Sequence, residues 1–230
     1  MMENNTINLP GGGFVTLDSH NADDLSVVNS ARVSFGKKVD KLSDGDEKLI
    51  NFLMRERHGT PFEHNMFRFH IQVPIFVARE WFRHRIGWSY NELSGRYSKL
   101  ESQYWVPELE DVRTQVGKPG AYTFEPVEPE IAETTRKAIS EVQSSCWRTY
   151  NYLLELGVAK EVARSVLPVG FLTEFYATCN ARSLMSFLSL RAEDNAQLEI
   201  RRAAYAVEEL FSQVMPITYE CFQNNGRTAP

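Results

Sequence analysis

A chain of 230 residues, 43% hydrophobic and 24% charged, is long enough to bury one compact core, and its mix excludes a collagen, a disordered tail or a membrane protein. A net charge of −5 argues against general adhesion to a phosphate backbone, so any bound anion must meet a local basic cluster. Three widely spaced cysteines, Cys146, Cys179 and Cys221, fit neither a disulfide framework nor a paired-cysteine zinc site. The start, Met1-Met-Glu-Asn-Asn, carries no basic patch or apolar run, and no segment approaches the roughly 20 apolar residues of a bilayer span. Both points indicate a cytoplasmic chain.

In chain order, a frayed leader runs to Pro10-Gly-Gly-Gly13, and Phe14 to Leu17 reads as an edge strand. Asp23 and Asp24 precede Leu25, Val28 and Ala31 at helical spacing, which predicts a helix over about 24 to 33 with acidic residues in its first turn. Ser43 and Asp46 have capping-box spacing before Leu49, Ile50, Leu53 and Met54, a helix ending near His58-Gly59. Phe67, Phe69, Ile71 and Val73 alternate with Arg68, His70 and Gln72, the period of a half-buried strand. Pro74 stops it, and Ile75 to Arg85 reads as a helix. Asn91 to Val106 is polar and aromatic, and Pro107 to Pro129 has little periodicity, so both read as loop. Apolar residues from Ile131 to Leu154 keep one helical stripe between Pro129 and Gly157. A short helix over Ala159 to Leu167, a strand over Phe171 to Thr178, and helices over Arg182 to Arg191 and Asn195 to Met215 follow, the last ended by Pro216. The order lacks a regular βαβ alternation. The expected class is α+β, in one domain spanning the chain, with long helices on a small, mainly antiparallel sheet.

The segment Arg79-Glu-Trp-Phe-Arg-His-Arg-Ile-Gly-Trp-Ser-Tyr-Asn-Glu-Leu-Ser-Gly-Arg-Tyr-Ser98 sets four arginines and a histidine among aromatics in an acidic chain. Guanidinium forks suit phosphate, and aromatic faces suit flat heterocycles, so the chemistry is that of a nucleotide site. The bland alternative is a solvated helix end whose arginines pair with Glu80 and Glu92. His58-Gly-Thr-Pro-Phe-Glu-His64 is a second polar cluster, but His58, His64 and His70 lack a His-Glu-x-x-His pattern, so no metal is expected. Asn180-Ala-Arg182 opens a helix that Arg191 closes, where a cation also favours the helix dipole.

Arg83-His-Arg85 through Ser94-Gly-Arg-Tyr97 resembles the signature of the flavin-dependent thymidylate synthases. Ala31-Arg-Val-Ser-Phe35, Thr60-Pro-Phe-Glu-His64, Val162-Ala-Arg164 and Asn180-Ala-Arg-Ser-Leu184 resemble that family's other blocks in the same order. The likeness spans about residues 25 to 222. It implies conversion of dUMP to dTMP, with methylenetetrahydrofolate as carbon donor, NADPH as reductant and FAD as hydride carrier, in a homotetramer whose sites are shared between subunits. Carried over residue by residue, it places Ser34, His58, Thr60, Glu63, Arg83, His84, Arg85, Asn91, Glu92, Asn180, Arg182 and Ser186 toward FAD. Toward dUMP it places Glu80, Arg83, Glu92, Ser94, Gly95, Arg96, Arg164 and Arg191. Arg191 is the catalytic candidate, stabilising charge on the pyrimidine as N3 loses its proton.

The sequence departs from the family pattern in three places. Eight residues, Ile86 to Leu93, separate Arg85 from Ser94, one more than the common signature, and the extra one is expected at Gly87-Trp88. Glu80 stands where the family usually has glutamine, and Ser186 where asparagine is common. None of the cysteines is expected to act as nucleophile, with Cys146 buried beside Trp147 and inert. A single-stranded nucleic-acid binding module is the rival reading, since Trp81, Phe82, Trp88, Tyr90 and Tyr97 among arginines suit base stacking. Its weakness is that basicity is confined rather than drawn out along a groove. A nucleotide hydrolase is weaker still, because Glu47, Glu63 and Glu92 lack the spacing of a metal site.

Overall fold

The computed structural model describes residues 5–118 and 120–230, so the first four residues of the expected leader and Pro119 of the expected loop lie outside it. The chain is α+β. Its main sheet has five strands, all pairings antiparallel, in the order β1 (Thr6–Asn8), β2 (Phe14–His20), β3 (Phe67–Pro74), β7 (Leu172–Cys179), β4 (Trp88–Glu92). A separate hairpin joins β5 (Arg113–Lys118) to β6 (Ala121–Pro126).

Alternation along β3 and β7 creates the two faces. Phe67, Phe69, Ile71 and Val73 with Phe175, Ala177 and Cys179 turn into the core, where Trp81, Phe187 and Phe211 are also fully buried. Over that face pack α3 (Ile75–Trp81), α6 (Ala181–Arg191) and α7 (Leu198–Val214). The opposite face carries Arg68, His70, Gln72, Glu174 and Tyr176, joined by a His70–Glu174 contact of 2.6 Å and a His70–Tyr176 stack at 4.8 Å. The long helix α4 (Pro129–Glu155) pins the segment before the hairpin: Gln143 Nε2 donates to Trp105 O at 2.7 Å, and Leu100 N donates to the Tyr150 hydroxyl at 3.2 Å.

Helix starts follow local chemistry. Asp23 caps α1 (Asp24–Arg32) by accepting from Ser26 N at 2.6 Å, and Ser43 with Asp46 forms the expected capping box of α2 (Asp44–Arg55). Buried Asp24 accepts from Ile217 N, Thr218 N and the Thr218 hydroxyl, which ties α1 to α8 (Pro216–Asn224). One turn of α5 (Lys160–Ala163) precedes β7.

Five expectations are corrected. Thr6–Asn8 of the expected leader form β1, so β2 lies inside the sheet rather than at its edge. The helix expected to reach Arg85 ends at Trp81. The polar segment from Asn91 overlaps β4, whose half-buried Trp88 and Tyr90 alternate with exposed Ser89 and Asn91. The expected loop from Pro107 to Pro129 contains the β5–β6 hairpin, which is exposed on nearly every residue and so has no apolar period to read. Pro216 opens α8 instead of only ending α7, because a proline at the first helical position gives up an N–H that would have no partner there.

Candidate active site

The bend between α3 and β4 places most of the basic segment. Trp81 is fully buried, stacked on Phe187 at 4.7 Å, and its neighbour Phe82 packs on Phe175 at 4.9 Å. The chain then turns, with His84 N donating to Trp81 O at 3.0 Å and the Tyr90 hydroxyl donating to His84 O at 2.8 Å. Gly87, at φ +70°, closes the turn, and a Cβ there would stand 2.1 Å from Ser183 Oγ. Only glycine lets the bend lie so close to the start of α6. Around it opens a cavity of about 470 Å³ lined by Arg83, His84, Arg85, Ile86, Trp88, Ser183 and Ser186.

The start of α6 is held from two sides. Asn180 caps it by accepting from Ser183 N at 2.8 Å, and Ala181 N donates to Asn65 Oδ1 at 2.8 Å. Arg182 is exposed, donating from Nη1 to Glu63 at 2.5 Å and from Nε to Pro230 O at 2.6 Å. Its guanidinium lies against Gly59, where a Cβ would meet Nε at 2.4 Å, so the turn carrying Thr60 and Glu63 abuts α6. His58 is exposed, with its ring edge to Phe52, and Ser34 is exposed in a short turn between Val33 and Phe35.

A second cavity, of about 510 Å³, shares Arg83 and is lined also by Phe76, Arg79, Glu80, Val169 and Arg191. Arg191, the last residue of α6, donates from Nη1 to Glu80 Oε2 at 2.8 Å and from Nη2 to Glu80 O at 3.2 Å. Its Nε donates to His84 Nε2 at 3.0 Å. Burial, with the adjacent Arg191 charge, holds the His84 imidazole down at about pKa 4, so it is neutral at pH 7. Burial pushes the Glu80 carboxyl above its usual range, an effect the Arg191 charge offsets only in part and Glu199 reinforces.

A third cavity, of about 470 Å³, brings together Glu92, Gly95 and Arg164 with Gln72, Lys99, Gln103 and Glu174. The Thr173 hydroxyl donates to Glu92 at 2.5 Å, and Gly95 is buried with Arg164 Cδ only 3.2 Å from where its Cβ would be. Ser94 O accepts from Tyr97 N and Ser98 N, closing a tight turn, while Ser94 Oγ accepts from Arg96 N at 3.3 Å. Arg96 leads away from the turn to Glu161, 3.2 Å away. Asn91 is exposed on β4. Gln72, Lys99, Gln103 and Glu174 had escaped the sequence reading. The outward positions of β3 and β7 are the signal that marks Gln72 and Glu174.

The bend therefore gathers Arg83, His84, Arg85 and Ser186; Glu80, Arg83 and Arg191 meet beside it; Glu92, Gly95 and Arg164 meet apart from both. Ser34 and His58 join none of these cavities. Cys179 is buried and its thiol is pushed well up by burial, and burial with nearby carboxylates pushes Cys221 up to about 11. Neither supplies thiolate at neutral pH. Cys146 is half-buried, more open than its place on the apolar stripe suggests.

Residues 16–217 match the family model described as thymidylate synthase complementing protein. A flavin-dependent thymidylate synthase of Streptomyces avermitilis is 45% identical over 228 residues, covering 94% of this chain and 93% of its own. One from Thermotoga neapolitana is 47% identical over 211 residues, covering 91% and 90%. The chain belongs to the flavin-dependent thymidylate synthase family. Among solved structures, a UMP/dUMP methylase, PolB from Streptomyces cacaoi, bound with 5-Br UMP, matches with a TM-score of 0.89 at 38% identity, over 97% of this chain and 99% of that one. A second structure of PolB, bound with 5-Br dUMP, matches at 0.88 and 39% identity.

Proposed function

We propose that the chain makes dTMP from dUMP by reductive methylation at C5, with FAD as hydride carrier, methylenetetrahydrofolate as carbon donor and NADPH as reductant, in the cytoplasm. Within the family, one observation carries this reading. Among the described residues, no carboxylate lies within ion-pair distance of Arg83, Arg85 or Arg164, although each lines a cavity, whereas Arg96, Arg182 and Arg191 are each paired. Unneutralised guanidinium groups around an aromatic wall are donors for anionic, flat ligands.

The residues at the bend fit a flavin dinucleotide. Arg83 and Arg85 offer charge for a diphosphate, Trp88 a stacking face, and Ser183 and Ser186 hydroxyls for polar edges. Thr60, Glu63, Asn180 and Arg182 border the same helix start and extend that surface, and Ser34, His58 and Asn91 are its outlying members. When bound, the flavin supplies the hydride that completes the methyl group.

Arg191 does the polarising. Its guanidinium, with N–H groups to spare beyond those given to Glu80 and His84, donates to the pyrimidine as N3 loses its proton, so charge builds up against a fixed cation. Ser94, Gly95 and Arg96 form a turn whose backbone approaches a phosphate, with Arg164 beside Gly95 and Glu92 held by Thr173. No thiolate is needed. The third cavity shares no residue with the other two, which supports a complete site drawn from more than one subunit of a homotetramer.

The test is conversion of dUMP tritiated at C5, with FAD, methylenetetrahydrofolate and NADPH. Release of tritium with dTMP formation is the expected result, and a colourless protein that takes up no FAD and makes no dTMP would sink the reading. Running UMP in parallel decides whether the chain also accepts a ribonucleotide, as PolB's name states for that enzyme. A nucleic-acid binder would instead retain single strands and leave dUMP untouched.

A further inference from the structure

Arg191 joins two cavities that the proposed chemistry treats separately. It lines the one with Glu80, and its Nε donates to His84, which lines the one at the bend. A guanidinium has five N–H donors and no acceptor, so the hydrogen bond at 3.0 Å requires His84 Nε2 to be the bare nitrogen. A neutral His84 then carries its proton on Nδ1, and among the described residues no group hydrogen-bonds that nitrogen. Arg191 is itself oriented: the Glu80 carboxylate takes Nη1 and the Glu80 carbonyl takes Nη2, so one residue of α3 fixes the guanidinium plane at two points. The Tyr90 hydroxyl fixes the His84 backbone through its carbonyl, and the ring packs edge-on to Phe187 at 4.9 Å.

We propose that Glu80 is a positioning residue which, through Arg191, locks His84 in the neutral Nδ1–H form as a hydrogen-bond donor to the ligand at the bend. This rests on the flavin reading only for the identity of that ligand. The consequence is coupling. A ligand that draws on Arg191 in one cavity acts on the donor strength of His84 in the other, and by linkage the reverse holds. The charged groups that face this arrangement are Arg191 from α6, Glu80 from α3, Arg83 and Arg85 on either side of His84, and Glu199 of α7 toward Glu80. Burial of the ring and, after it, the cation nearest the ring both oppose an imidazolium, in agreement with a histidine whose pKa is held well below its ordinary range.

The sequence holds five histidines, so nitrogen NMR of the flavin-free full chain labelled in histidine can resolve them, with His84→Gln assigning the signal. In the wild type, the His84 signal should show a protonated Nδ1 and a bare Nε2, unchanged from pH 8 down to pH 6. A wild-type His84 that titrates near 6.5, or that carries its proton on Nε2, would overturn the proposal without any variant. Arg191→Met should free Nε2 and raise the His84 pKa part of the way, since burial of the ring remains. Glu80→Ala should mix its tautomers and weaken FAD binding by about tenfold, the lower end of the scale seen when a group that orients a metal-ligating histidine is removed. Glu80→Gln keeps an oxygen for Arg191 Nη1 and should restore both signals. Equal FAD affinity in the wild type and a folded Glu80→Ala would also overturn it. The NMR readout needs no flavin, so a failed relay is distinguishable from a failed assignment of the enzyme's activity.

Discussion

The bend after α3 and the turn after β4 carry the same residue types, yet they handle charge differently. At the bend, Arg83 and Arg85 stand around a cavity with no carboxylate within ion-pair distance among the described residues, and Arg191 beside them is paired with half-buried Glu80. At the turn, Arg96 is held by Glu161, and both side chains are more than half exposed, at 53% and 55%. A pair that open to water is worth about 0–1 kcal/mol, so it holds Arg96 only loosely. The difference separates arginines paired within one chain from those whose charge is left for a ligand; Arg191 crosses that line, being paired yet keeping N–H groups to spare.

The largest effect belongs to Arg191. If its role is to meet charge building on the pyrimidine, Arg191→Ala should lower turnover by about 10² to 10³, the usual cost of one oxyanion-type donor. If it only completes the dipole of α6, the loss is about 0.3–1 kcal/mol of stability with normal turnover. Steady-state rates beside a denaturant melt separate the two.

Next come the unpaired guanidinium groups. A hydrogen bond to a charged group contributes about 1.5–3 kcal/mol, so Arg83→Ala and Arg85→Ala should each weaken FAD binding by roughly 10- to 100-fold. Fluorescence quenching of added FAD measures this directly. If both variants bind FAD as the wild type does, the contrast between unpaired and paired arginines has no functional meaning.

A smaller effect reads the His84 environment. Its folded pKa, about 4, lies below the ordinary 6.5, so the unfolded chain takes up this proton before the folded one does. The stability contributed by keeping His84 neutral is therefore complete above pH 6.5 and is lost as pH falls toward 4. Glu80, whose pKa is raised, acts with the opposite sign: its contribution is present at low pH and is lost as pH rises through its folded value. Comparing melts of the wild type and His84→Gln isolates the histidine. The variant should lose less stability than the wild type between pH 6.5 and 4, and parallel curves would show that the ring is not held neutral.

These contrasts also explain what could be read from the chain. The alternation on β3, the capping box at Ser43 and the helical period of α4 are local patterns, and the structure contains the strand, the box and the helix, although the stripe residues Ile131 and Val142 of α4 stand exposed and only Tyr150 of that stripe is buried. The end of α3 was not legible, because the turn depends on Tyr90 and Ser183 approaching from β4 and α6. The hairpin failed for a different reason: with both faces in water, β5 and β6 need no hydrophobic period. At the site, the residue types were legible in the arginine-rich segment. Their grouping was not, since Arg191 meets Glu80 and His84 across more than a hundred residues of chain.

The smallest stability effect is expected at Arg96, and it is the sharpest test of the turn. Because the Arg96–Glu161 pair is exposed, Arg96→Ala should shift the melt by no more than about 1 kcal/mol, and Glu161→Ala by a similar amount. Ligand binding is where the two variants part. If Arg96 leaves Glu161 to meet a phosphate, Arg96→Ala weakens dUMP far more than deoxyuridine, while Glu161→Ala, which frees the guanidinium, leaves dUMP binding equal or tighter. Calorimetry with the two ligands on both variants gives four affinities. Equal losses of dUMP and deoxyuridine in Arg96→Ala would remove Arg96 from the phosphate and leave that charge to Arg164, whose side chain packs beside Gly95.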